Sequence, residues 1–183
     1  MISGRGRWGK HPWRPLVPAA ILAIGWLGCE QGGGLPAGRD DLDAMDTARI
    51  SIGDNHFEVW LATSAPQQQR GLMQVTSGRL APIPGDPAQG SSDVHRGMLF
   101  VFEMEQPLSF WMWNTITPLD IAYIRADGLI VSTYTMAPME TRSYPSGEPA
   151  QFALEVLAGL FTDLGIGPGD RVEIPDSVLK GTR

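Results

Sequence analysis

The chain has 183 residues, 14 Lys+Arg against 20 Asp+Glu, three His and a single Cys; a length and apolar content of this kind suit one folded domain. One cysteine closes no intrachain disulfide and builds no Cys-rich zinc site, and three histidines do not make a His cluster, so neither a metal nor a cofactor is expected. A net charge of −6, with only two Lys among the 14 cations, excludes the clustered positive charge that nucleic-acid binding requires.

Residues 1–28 hold Arg5, Arg7, Lys10 and Arg14 and no acid. The apolar run from Leu16 to Leu27 follows, then Gly28 and Cys29. A charged start, a short apolar stretch and a small residue at the end describe a signal peptide over 1–28. The run is too short to cross a bilayer as a helix. Cys29 stands where a bacterial lipoprotein signal places the residue that is diacylated, so it is read as a lipid anchor. The protein is then an extracytoplasmic, membrane-anchored lipoprotein. Trp26 occupies a place that usually holds Leu, Val or Ile, and the alternative is an uncleaved anchor or a secretion signal with an incidental cysteine. Residues 29–46, with Gly32 to Gly34, Pro36, Gly38, Asp40, Asp41, Asp43 and Asp46, read as a flexible acidic tether. Without the leader, 10 Lys+Arg face 20 Asp+Glu. An anionic bilayer would repel so acidic a surface, which leaves attachment to the lipid.

The folded domain is expected over 47–178, as a monomer, with a tail at 179–183. Ile50 and Ile52, the turn Gly53-Asp54-Asn55, and Phe57, Val59 and Leu61 at alternate positions predict a β-hairpin with those three side chains on one face. Ser64 and Gln67 form a capping box, with Pro66 in the first turn, for a short helix ending near Gly71, and Leu72 and Met73 plug the core behind it. Residues 77–96 are rich in Gly, Pro, Ser and Asp and read as a long loop or insertion. Apolar runs at Met98 to Phe102, Leu108 to Trp113, Leu119 to Ile124 and Leu129 to Met136 predict strands buried on both faces. A Pro- and Ser-rich loop spans Pro138 to Pro149. A strand over Gln151 to Leu157, one or two helical turns over Ala158 to Leu164, a Gly-rich turn and a final strand over Arg171 to Ile174 complete the domain. The fold class is mainly β: a single compact β-sandwich or barrel with one or two short helices.

Five blocks carry a resemblance: Arg70-Gly71-Leu72-Met73, Gly97 to Phe102, Phe110 to Thr115, Pro118-Leu119-Asp120-Ile121, and Gly165 to Val172. In this order they resemble the family called domain of unknown function 192, or uncharacterised protein family 0127, over nearly all of residues 48–175. The resemblance implies a small β-sandwich or barrel, found in bacteria and archaea and often behind a secretion signal. It implies no activity. Relatives look shorter between the first two blocks, and they commonly carry Lys where this chain has Trp113, which implies that Trp113 is accessible to solvent.

The candidate ligand-binding residues are Trp111, Trp113, Asn114, Thr115, Asp120 and Arg70. Two indoles at i and i+2 share a strand face and suit stacking against a sugar ring or another flat ligand, with Asn114 and Thr115 beside them. In the alternative arrangement Trp111 fills the core and Trp113 covers a loop, with a bulge near Asn114. Arg70 and Asp120 pair to close the helix onto the sheet, or else Asp120 accepts ligand hydroxyls. No catalytic residue is assigned, since neither a Gly-x-Ser-x-Gly elbow nor a phosphate loop is present. The leading expectation is a non-catalytic module of the cell envelope that binds a small molecule or glycan. Its rivals are an envelope hydrolase using Asp120 with Glu155 or Arg70, and a scaffold acting through 77–96.

Overall fold

The computed structural model describes residues 42–85 and 92–180, all within a unit that spans Pro36–Arg183. The expected signal peptide, Cys29 and most of the expected tether, residues 86–91 and residues 181–183 lie outside the described residues. Seven strands form the sheet: β1 (Thr47–Ile52), β2 (Asn55–Ala62), β3 (Val94–Phe110), β4 (Leu119–Ile124), β5 (Ile130–Met136), β6 (Tyr144–Leu157) and β7 (Val172–Glu173). Their spatial order is β5-β4-β6-β3-β2-β1-β7. The sheet curls into a half-barrel, and the segments entering its two edge strands meet at one end. There Leu129 bridges Arg171, the Ile130 N–H donates to the Asp170 carbonyl at 2.9 Å, and the Val172 N–H donates to the Gly128 carbonyl at 2.8 Å. Three short helices accompany the sheet: α1 (Ala65–Arg70), α2 (Leu160–Leu164) and α3 (Asp176–Lys180). The expected β-rich fold with short helices is therefore what the chain adopts.

Strand alternation divides the apolar side chains between two faces. Phe57, Val59, Leu99, Val101, Ile124, Phe152, Leu154 and Val156 fill the inside of the curl together with Phe161 and Val172. Trp60, Met98, Phe100, Ile121, Tyr123 and Ala153 line the outer face, where Leu42, Leu72, Val75, Leu80 and Met112 cover them. Burial of each of the larger side chains removes enough apolar area from water to contribute about 1.5–3 kcal/mol. The hairpin forms as expected, with Ile52 opposite Asn55. Trp60 alternates with the inward set and is nevertheless buried, because the outer face is covered as well.

Among the described residues only one neighbouring pair of strands, β2 and β3, is parallel. A parallel pair needs a crossover, and residues 63–93 supply it. The Gln67 side chain accepts from the Ser64 N–H at 3.0 Å, in the expected capping box. Gln68 then ties the helix to the sheet, its Nε2 donating to the Val101 carbonyl at 2.8 Å. The crossover thus lays α1 along the outer face, and this placement creates the site described below.

Several boundaries differ from those read in the sequence. Residues 42–46 are part of the fold, since Leu42 is buried and Arg79 reaches Asp43 at 2.5 Å. The two ends of the segment 77–96 pack into the fold. Leu80 is buried, Ile83 bridges Val94, and β3 already begins at Val94. The two apolar runs Met98–Phe102 and Leu108–Trp113 belong to one long strand, bent by register shifts between Val101 and Gln106 and again between Pro107 and Ser109, and it ends at Phe110. Residues 144–149 pair in β6 despite Pro145 and Pro149, because these face the bent part of β3, where the ladder is already irregular. α3 was not expected from the sequence, and it places Val178 against the inner core.

Candidate functional site

On β6, Ala153 and Glu155 point to the outer face and Leu154 and Val156 to the inner one. Glu155 sits opposite Met98 of β3 and Ile121 of β4, in the middle of the sheet, and is only 4% exposed. Its carboxyl opens into a cleft of about 290 Å³ lined by residues 68–73, Phe100, Phe102, Ser109, Phe110, Trp111 and Thr115. Among the described residues it has neither a hydrogen-bond nor an ion-pair partner. Burial without a compensating charge pushes its pKa up to about 8. Near neutral pH the group is therefore mostly a carboxylic acid, able both to donate and to accept a hydrogen bond.

Two glycines make this geometry possible. A Cβ on Gly97 would lie 2.4 Å from the Glu155 carbonyl oxygen, so only glycine lets β3 approach β6 here. Gly71, with φ +50°, lies above the carboxyl. A Cβ there would stand 3.1 Å from Phe100 Cζ and 3.9 Å from Glu155 Oε2, narrowing the opening of the cleft. The rings of Phe100 and Phe110 meet edge to face with centroids 4.8 Å apart and form an aromatic wall.

A second, shallower lobe of about 530 Å³ adjoins the first and is lined by Pro66, Gln69, Arg70, Met73, Trp111 and Trp113. Gln69, Arg70, Met73 and Trp111 line both lobes. Trp111 and Trp113 are each 54% exposed, and their rings stack with centroids 6.0 Å apart and planes 28° from parallel. The arrangement with Trp111 in the core is thus corrected: Met112, between the two indoles, takes the buried position. Alternation continues for three residues past the end of β3, and Asn114 then turns the chain with φ +57°.

The remaining candidates fare differently. Thr115 is buried at the edge of the inner lobe, its hydroxyl donating to the Trp113 carbonyl at 3.3 Å. Asn114 lines neither lobe. Its carbonyl accepts from the Gln74 N–H and from Gln74 Nε2, each at 3.1 Å, and its Oδ1 accepts from Nε2 at 2.5 Å, so it locks the turn. Asp120 points to the other side of the sheet. One oxygen accepts from Thr135 Oγ1 at 2.7 Å and the other from the Phe161 N–H, in the first turn of α2, at 3.1 Å. The expected pairing of Asp120 with Arg70 is not made, and Asp120 and Glu155 do not share a site. The register sets Asp120 opposite Val156 and Ile121 opposite Glu155, which sends the two carboxylates to opposite faces.

Glu155 carries a signal in the sequence beyond its expected role as a partner of Asp120. It interrupts Phe152-Ala153-Leu154-Glu155-Val156-Leu157, and an acid amid a run buried on both faces is itself forced out of water. Among the described residues no three His, Cys, Asp or Glu side chains converge as a metal site would require. The polar groups of the cleft are one carboxyl, the Arg70 guanidinium, the amides of Gln68 and Gln69, and the hydroxyls of Ser109 and Thr115.

The chain is similar to known proteins over most of its described length. The family model of domain of unknown function 192, described as an uncharacterised ACR, matches residues 48–174. A crystal structure from Sinorhizobium meliloti, of a protein provisionally described as a transcription regulator, is 31% identical with a TM-score of 0.59, covering 70% of this chain and 94% of that one. A protein of unknown function from Novosphingobium aromaticivorans is 28% identical with a TM-score of 0.60, covering 74% of this chain and 90% of that one. No curated protein matches.

Proposed function

This chain belongs to the domain of unknown function 192 family, and we propose that it is a non-catalytic binding module for a small ring-bearing ligand, a sugar or another flat molecule, at the bacterial cell envelope. The observation that carries this reading is the stacked, half-exposed pair Trp111 and Trp113, which opens onto a cleft with Arg70 at its junction and Glu155 at its floor. Indoles left in water at the mouth of a concave site are a recurring means of holding flat ligands, and a few convergent polar groups orient them. The lipid proposed on Cys29 would hold the domain at the membrane, as the signal-like segment Leu16 to Cys29 suggests. The family match and the two similar structures supply no ligand. The description of the Sinorhizobium protein is not carried over, since 20 acids against 14 cations disfavour a DNA surface.

A screen of mono- and oligosaccharides and small aromatic metabolites, followed by tryptophan fluorescence, tests the reading. Binding should weaken at least about tenfold in Trp113→Lys, the loss expected for a stacking contact worth 1–3 kcal/mol. A screen without any ligand would sink it.

The observation favouring a second reading is a buried carboxyl, Glu155, that shares a cleft with Arg70; burial pushes its pKa up to about 8, toward the protonated state a general acid needs. A hydrolase would then use Glu155 with Arg70, and Asp120 takes no part. Hydrolysis of a glycoside or ester that disappears in Glu155→Gln would establish it.

A further inference from the structure

The inner lobe holds a carboxyl with no partner among the described residues, nine-tenths or more buried, aimed into an open space whose lining includes the rings of Phe100, Phe102, Phe110 and Trp111. A buried polar group normally finds a hydrogen-bond partner, so the missing partner is the ligand's. Aromatic faces carry negative charge density and attract cations. We propose, resting on the binding reading above, that the inner lobe is an amine subsite: a ligand lays its ring at the Trp111–Trp113 pair and sends a protonated amine between Phe100, Phe110 and Trp111 onto the Glu155 carboxylate.

The charged and titratable groups facing Glu155 are few. Tyr123 on β4 is electrostatically coupled to it, and burial together with that coupling raises the Tyr123 pKa, so the phenol stays neutral. It donates its own proton to the Tyr144 carbonyl. From β3 come Met98 and Phe100, which carry no charge, and α1 contributes Arg70 where the two lobes join. A hydroxyl would give the acid a hydrogen bond but leave it protonated. An ammonium also supplies the charge that burial withholds, and a charge-assisted bond to a carboxylate is roughly twice as strong as a neutral one. An anion at this depth would meet the like charge of the ionised acid or require it to stay neutral.

The proton balance is explicit. The free amine enters as the ammonium, Glu155 gives up its proton to solvent, and the bound state is an ammonium–carboxylate pair with one proton released. The pKa near 8 means that release is close to complete at about pH 6.5 and falls toward zero above about pH 9.

Calorimetry on the full chain with benzylamine and benzyl alcohol, which share a ring and differ in the terminal group, decides the matter in two buffers of different ionisation enthalpy. The expected result is benzylamine binding about tenfold or more tightly than the alcohol, with close to one proton released per ligand at about pH 6.5. In Glu155→Gln the preference and the proton release should disappear while ring binding, followed by tryptophan fluorescence, persists. Equal binding of the two probes with no proton release overturns the amine subsite and leaves the binding module standing. Failure of both probes to bind overturns the amine subsite, and the binding module falls with it if the ligand screen is also empty. Glutamine reproduces the shape of the protonated acid, so the variant should fold.

Discussion

Asp120 and Glu155 sit one residue out of step on neighbouring strands, are 1% and 4% exposed, and have opposite fates. Asp120, inside the curl, has both oxygens occupied by Thr135 and the first turn of α2. Glu155, on the outer face, has a cleft in place of a partner. A buried carboxyl whose two oxygens are both hydrogen-bonded holds structure together, since it ties β4 to β5 and to α2. A buried carboxyl with none costs stability wherever it ionises. The difference separates an acid that the fold uses from one that a ligand could use.

The contrast breaks most sharply with pH. The pKa of Glu155 in the folded chain is about 8, against an ordinary 4.5. Between these values the folded chain keeps a proton that the unfolded chain loses. Its contribution is therefore complete below about pH 4.5 and lost as pH rises through 8, a fall on the order of 5 kcal/mol. Urea unfolding of wild type and Glu155→Gln at about pH 5 and 9 should show near-equal stability at the lower pH and the variant ahead at the higher. A parallel decline of both would mean that Glu155 is already partnered.

Asp120→Ala should act in the reverse sense, with a loss of about 3 kcal/mol at neutral pH, because the Phe161 N–H and the Thr135 hydroxyl are left unpaired. Thermal unfolding checks this, and an unchanged melting temperature would show that α2 does not depend on the carboxylate. On the other side of the sheet, Gly71→Ala tests how tightly the cleft is built. Its φ of +50° and the 3.1 Å approach to Phe100 predict a loss of about 1–3 kcal/mol, together with weaker binding of any ligand that reaches Glu155. Trp113→Lys gives the smallest effect on stability, within about 0.5 kcal/mol, because half of the indole is already in water; a larger loss would return Trp113 to a structural role.

Much of the strand pattern is legible without coordinates. The hairpin turn at Gly53-Asp54, the capping box of Ser64 and Gln67, the six-residue buried strand Leu119–Ile124 and the accessibility of Trp113 all follow from local chemistry or from the family resemblance. The site is legible only in part. Trp111 and Trp113 were recognisable as a possible platform, yet choosing between an open pair and a core indole depended on whether Met112 would be the buried residue. Two charges beside apolar blocks point to a pairing of Arg70 with Asp120, and the fold does not make it, because nothing local reveals which face of a strand a helix will cover.

The sequence by itself determined the β-rich class, the family and the positions at which side chains alternate, since these depend on residues a few places apart. Only the tertiary structure decided that β2 and β3 run parallel, that the intervening crossover carries α1 over the outer face, and that the register of β4 on β6 separates Asp120 from Glu155. A slip of one residue in that register would bring the two acids onto the same face. It is excluded by packing summed over the whole sheet: Phe152, Leu154 and Val156 must all point inward together, and Glu155 is carried to the outer face with its neighbours.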